Sequence, residues 1–287
     1  MSAWVERLRR VAVRWAGDGV DLLFPPRCAV CRCDLQNRGG PPAPGALAAT
    51  GTVCSACSRD LTADGSRCLR CGELGGGVGP NGGAESGPDG GLSGRPSGRL
   101  SDACRHCRSR RPDWDGIAVL AGYGDPLRQA VLRGKHPAGD DVSRALASLL
   151  VDKHRVTFAG WQIDGVVAVP MHWLRRAARG TSAADEIARR VARLLGVPLV
   201  AALARQTATR MQNELPVHER RGNVQEAFRL RRAVGGRRLL LVDDVVTTGA
   251  TFAACRRTLA AGNATAVFAA AIAKADRGGG AAAGDVG

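Results

Sequence analysis

Two sets of residues in this 287-residue chain have types and spacings that chemistry uses. The first is cysteine. Eight of the ten cysteines form C-x-x-C pairs: Cys28/Cys31, Cys54/Cys57, Cys68/Cys71 and Cys104/Cys107. Two thiolates separated by two residues can hold one metal ion from a single tight turn, and two such turns complete a tetrahedron. One pair alone could be a redox dithiol. Four pairs in a stretch too polar to fold on a core of its own point instead to structural zinc. The simplest pairing gives Cys28, Cys31, Cys54 and Cys57 to one ion and Cys68, Cys71, Cys104 and Cys107 to the other; a crossed pairing meets the same spacing. Cys33 extends the first pair to C-x-x-C-x-C and is an alternative to Cys31, read here as a spare thiol. His106 reads as an exposed knuckle side chain and Cys255 as a small core residue. Closed all-thiolate sites leave no open coordination position, so both zinc ions are expected to be structural.

The second set is Asp243-Asp244-Val245-Val246-Thr247-Thr248-Gly249-Ala250-Thr251, which follows the apolar run Leu239–Val242. A buried strand is expected to end at the two carboxylates, and a loop of Thr and Gly then opens a helix. Free N–H groups and the dipole at a helix start favour an anion, and Gly249 lets a phosphate approach the backbone. Thr247, Thr248 and Thr251 add hydroxyl donors. Asp243 and Asp244 would repel a phosphate, but they suit sugar hydroxyls, which donate to carboxylate oxygens. Phosphate plus vicinal hydroxyls describes a ribose 5-phosphate.

These residues need elements to hold them. Three apolar runs, Ile163–Val169, Leu239–Val242 and Thr265–Ala273, read as buried parallel strands. Ala250–Ala261 reads as a helix with Gly262 at its C-cap, so strand, loop, helix and strand form one βαβ unit around the cradle. The expected fold class is therefore α/β, a parallel sheet flanked by helices, behind a small double zinc ribbon. Residues 1–23 are expected to form an amphipathic helix, 24–112 the double ribbon, 113–275 the α/β domain and 276–287 a flexible tail. Within the ribbon, Leu74–Leu100 is rich in Gly, Pro and Ser and is expected to be a disordered loop. The charge is +15, from 41 Lys+Arg against 26 Asp+Glu, with only three of the 41 being Lys. Such a surface favours polyanions, either nucleic acid or phosphorylated small molecules. No run is long and apolar enough for a membrane span, and the charged start lacks the apolar core of a signal peptide. A cytoplasmic location is expected.

The cradle segment resembles the PRPP (phosphoribosyl pyrophosphate) signature of type I phosphoribosyltransferases: two acids after an apolar strand, then T-T-G-x-T. More of the chain joins that resemblance. Leu132-Arg133-Gly134-Lys135, Val169-Pro170 with Arg175-Arg176, Arg205-Gln206-Thr207-Ala208-Thr209, and Glu219-Arg220 with Asn223 follow the cysteine pairs in order. From about Phe24 to Lys274 the chain resembles the ComF family of competence-associated proteins. The resemblance implies a type I phosphoribosyltransferase-like fold that binds PRPP on Asp243–Thr251, accompanied by Mg²⁺. It further implies that Asp243 and Asp244 act in any catalysis, that Arg175, Arg176 and Arg179 hold diphosphate, and that Lys135 sits in a basic flap. Arg205–Leu215 would belong to a variable hood. The family commonly has an aromatic residue, Asn and Gln after Arg179-Gly180, whereas this chain has Thr181, Ser182 and Ala183. The implied role is handling of single-stranded DNA, with DNA-uptake or helicase proteins as partners. The alternative is a PRPP-dependent glycosyltransferase acting on a nucleobase or another small acceptor.

Overall fold

The structure, a computed structural model, describes residues 26–35, 52–74, 104, 106–107, 112–171, 182–205 and 227–275. The chain divides into two compact units, Met1–Arg59 and Asp60–Gly287. In the smaller unit, Cys28 N–H donates to Cys33 O at 2.8 Å and Arg32 N–H donates to Cys28 O at 2.8 Å. Arg27 bridges to Asp34, closing a small knuckle. Arg32 takes the left-handed turn position with φ 63°. Helix α1 (Ser55–Thr62) follows the second cysteine pair's start.

The larger unit repeats that knuckle. Cys68 N–H donates to Glu73 O at 3.0 Å, Gly72 N–H donates to Cys68 O at 2.8 Å, and Arg67 bridges to Leu74. The left-handed position is here Gly72, φ 79°. A side chain at this glycine would also meet Val119 at 3.1 Å, because the knuckle lies against the sheet. Ile117 N–H donates to Leu69 O at 2.7 Å, and Asp64 accepts from Gly122 N–H at 2.8 Å and from the Arg67 guanidinium.

The sheet has four parallel strands in the order β1 (Ile117–Gly122), β6 (Ala266–Lys274), β5 (Arg238–Val246) and β2 (Gly165–Ala168). Three of these answer the three apolar runs of the sequence; β1 is an additional edge strand. In β5, Leu239, Leu240, Leu241 and Val242 are all fully buried, as expected where helices cover both faces of a parallel sheet. Helices α2 (Leu127–Gly134), α3 (Asp140–Lys153), α4 (Arg155–Trp161), α5 (Ala183–Leu195) and α6 (Ala250–Ala261) surround it. Ser182 caps α5 by accepting from Asp185 N–H at 3.3 Å, and Gly196 ends it at φ 69°. The buried face of α5, Ala183, Ala184, Ile187, Ala188, Val191 and Ala192, repeats at helical spacing.

Two features differ from the sequence expectation. β5 does not stop at Val242 but runs through both acids to Val246, since β6 keeps pairing with it as far as Val246↔Lys274. Carboxylates are poor strand residues, yet the backbone ladder continues through them at the carboxyl edge, where both side chains are half-buried. A short antiparallel ribbon, β3 (Leu203–Arg205) with β4 (Phe228–Leu230), brackets the expected hood. The expected N-terminal helix (1–23), most of the 74–100 loop, most of the hood and the tail lie outside the described residues. Among the described residues, no helix is long and apolar enough to cross a membrane.

Candidate functional site

The cradle sits at the carboxyl edge of the sheet, where β5 hands over to α6. Successive strand residues leave on opposite faces, so Asp243 shares a face with Leu239 and Leu241 while Asp244 takes the other. Asp243 Oδ1 accepts from Asp244 N–H at 2.9 Å, and Asp244 Oδ1 accepts from Val245 N–H at 2.7 Å. Lys135, which closes α2, pairs with Asp244 Oδ2 at 3.1 Å. The chain thus brings together residues 109 positions apart that the sequence assigned to one ligand.

Burial at the end of β5, and then the Asp244 charge, hold the Asp243 carboxyl well above the usual carboxylate range; the Asp244 N–H and the Lys135 ammonium pull the other way. Thr247, Thr248 and Ala250 are exposed, and Thr251 and Val245 are half-buried. Val246 packs in the core, so only its backbone can face a ligand. Gly249, φ 78°, is the N-cap of α6, and no side chain caps that helix. Thr248 Oγ1 accepts from Ala250 N–H at 3.3 Å. The remaining first-turn N–H groups of α6 are the orphan donors of a helix start. Arg175, Arg176 and Arg179 lie outside the described residues, as does Thr181; Ser182 and Ala183 form the cap and first residue of α5.

The cysteines gather in two clusters. Cys68, Cys71, Cys104 and Cys107 have sulfurs within 4.8 Å of one another, with Cys68 and Cys107 at 3.7 Å and Cys71 and Cys104 at 3.4 Å. These are the four that the sequence assigned to one ion. In the other cluster Cys28, Cys31, Cys33 and Cys54 lie within 4.8 Å. Cys57 adjoins it: its N–H donates to Cys54 Sγ at 3.5 Å, and its thiol is pushed up by burial and by Cys31 and Cys54. Five thiols therefore meet where four ligands suffice. Backbone N–H groups face the sulfurs, Arg70 to Cys68 at 3.4 Å and Cys54 to Cys28 at 3.4 Å. Cys68 is pulled down to about 4, chiefly by the Cys71 thiol, while Cys71 is pushed up by the same contact. Sulfurs this crowded cannot all ionise without a cation, and the soft donor set fits zinc. Cys255 is fully buried in the core.

Sequence reading missed Trp114, Glu73 and Lys274. Lys274 Nζ pairs with Glu73 Oε1 at 2.8 Å and donates to Thr247 O at 3.0 Å. Trp114 Nε1 donates to Arg70 O at 2.8 Å. The available signal was rarity: Lys274 is one of three lysines and closes an apolar strand.

No family model matches the chain. DNA utilization protein YhgH of Escherichia coli K12 is 30% identical over 250 residues, covering 86% of this chain and 96% of that protein. The chain belongs to the ComF family of DNA utilization and competence proteins. Competence protein F of Haemophilus influenzae is 28% identical to this ComF-family chain over 131 residues, 44% of this chain and 57% of that one. Among solved structures, a purine phosphoribosyltransferase from Pyrococcus horikoshii is 18% identical with a TM-score of 0.30, covering 45% of this chain and 70% of that one. A phosphoribosylpyrophosphate synthetase from Mycobacterium smegmatis is 19% identical with a TM-score of 0.28, covering 55% and 53%.

Proposed function

We propose that Asp243–Thr251 binds PRPP with Mg²⁺ and that the chain uses this site while handling single-stranded DNA. The observation that carries the reading is the uncapped start of α6, placed directly after two carboxylates at the edge of the sheet. Orphan N–H groups there suit the 5-phosphate, with Thr247, Thr248 and Thr251 as hydroxyl donors. Asp243 and Asp244 accept from the ribose hydroxyls, and Lys135 balances Asp244. Arg175, Arg176 and Arg179 are proposed for the diphosphate, since guanidinium matches that oxygen-rich group. The two carboxylates are hard oxygen donors of the kind Mg²⁺ takes together with ligand phosphates. When bound, Mg²⁺ would supply charge neutralisation on the diphosphate. The eight paired cysteines hold two structural zinc ions. The DNA role is supported by the names of the relatives and by the +15 charge.

Calorimetry with PRPP and Mg²⁺ tests the cradle. The wild type should bind, and Asp243→Asn/Asp244→Asn should weaken binding well over tenfold, because charge-assisted hydrogen bonds contribute about 1.5–3 kcal/mol each. Equal affinities would remove the acids from the site. A product assay with PRPP against nucleobases and single-stranded DNA separates binding from transfer; release of pyrophosphate with one base would favour the glycosyltransferase reading.

A further inference from the structure

We propose that Trp114 and Lys274 are positioning residues that tie the cradle loop to the second cysteine knuckle, so that zinc at Cys68, Cys71, Cys104 and Cys107 sets how tightly the cradle holds its phosphate. This rests on the ribose-phosphate reading of the cradle for its ligand, but not for the coupling itself.

One indole makes three contacts. Trp114 Nε1 donates to Arg70 O at 2.8 Å, and Arg70 lies inside the Cys68–Cys71 turn. Its ring lies against Gly249, where a Cβ would come within 2.4 Å of the ring carbon Cη2. It also meets Phe252 edge-on, with centroids 6.0 Å apart. Phe252 stands in the first turn of α6 and is 1% exposed. The glycine of the cradle therefore serves two needs, a left-handed φ of 78° and room for Trp114.

Lys274 makes the second tie. Its three ammonium donors go to Glu73 Oε1 at 2.8 Å, Thr247 O at 3.0 Å and Ala275 O at 2.8 Å. Glu73 belongs to the knuckle hairpin through Cys68 N–H, which donates to its carbonyl at 3.0 Å. Both charged side chains are under 10% exposed, so neither can leave its partner without stranding a buried charge.

The knuckle itself is centred on sulfur. The buried cluster there consists of Cys68, Cys104 and Cys107 with Cys71 against them. Such a segment takes its order from the metal. Zinc orders the knuckle, the knuckle holds Trp114 and Glu73, and Trp114 and, through Lys274, Glu73 hold Gly249 and Thr247.

Amide hydrogen exchange on the full chain tests this without any ligand. Peptides covering 243–255 should exchange about tenfold faster or more after zinc is stripped, while α5 peptides keep their protection. Zinc-loaded Trp114→Leu and Glu73→Gln/Lys274→Met should loosen the same peptides with two zinc ions retained. Cradle exchange that is unchanged by stripping would overturn the proposal. If stripping also loosens α5, the zinc-loaded Trp114→Leu chain decides, and wild-type exchange in its cradle overturns the proposal. The coupling must be reciprocal. PRPP with excess Mg²⁺ should slow zinc capture by a chelator about fivefold or more in the wild type and not in Trp114→Leu; equal slowing in both would also overturn it. Failure of the wild type to bind PRPP by calorimetry would reject the ribose-phosphate reading and leave the exchange result standing.

Discussion

In the proposed cradle, Asp243 is the residue at which stability and ligand binding oppose each other. Burial and Asp244 raise its carboxyl pKa in the folded chain, so the folded state holds that proton more tightly than the unfolded state. The stabilising contribution is complete below the unfolded value near 3.8 and is lost as pH rises through the raised folded value. Asp243→Asn removes that loss. Its melting temperature should match the wild type at low pH and exceed it by a few degrees at alkaline pH, at about 2–4 °C per kcal/mol. A thermal melt across pH without ligand measures this, and a gap that shrinks with rising pH would contradict it. Binding runs the other way, because a protonated carboxyl is a poorer acceptor for sugar hydroxyls.

At the scale of elements, the knuckles carry the clearest expectation. Metal analysis after mild purification should find two zinc ions per chain. The second knuckle uses both members of each C-x-x-C pair, and its hairpin repeats that of the first. Cys33, not Cys57, lies in the first sulfur cluster, but by that repeat we propose Cys57 as the fourth ligand of the first site and Cys33 as the spare. Cys33→Ser should keep two zinc ions and Cys57→Ser should keep one; the reverse result would exchange their roles. The same scale explains the extension of β5. The two acids look like a strand end in sequence, but β6 supplies ladder partners as far as Lys274.

For the whole molecule the question is what the +15 charge does. Fluorescence anisotropy of labelled single-stranded DNA across a salt series measures it. Affinity should depend weakly on sequence and fall steeply with salt, with about −0.7 in the log–log slope per neutralised phosphate. PRPP binding should resist salt more, since directional contacts in the proposed cradle would be screened less than surface charges. Competition by PRPP would place both ligands on the cradle. No DNA binding at low salt would return the protein to small-molecule chemistry.

Local chemistry was legible from residues alone. The C-x-x-C turns, the acid-acid-Thr-Thr-Gly loop and the helix of Ala250–Ala261 each follow from spacing within one element, where chain connectivity already fixes the geometry. The edge strand β1 was not picked out among the apolar runs, because half of Ile117–Gly122 is Ala or Gly. Tertiary structure alone decided three things. It paired Lys135 with Asp244, seated Trp114 on Gly249, and closed Lys274 onto Glu73 and Thr247. Each joins residues far apart in the chain, and no local propensity encodes such a contact. The two lysine contacts form where the parallel sheet brings the carboxyl ends of β1, β5 and β6 to one edge, and the knuckle turn, through Arg70 O, holds Trp114 just before β1.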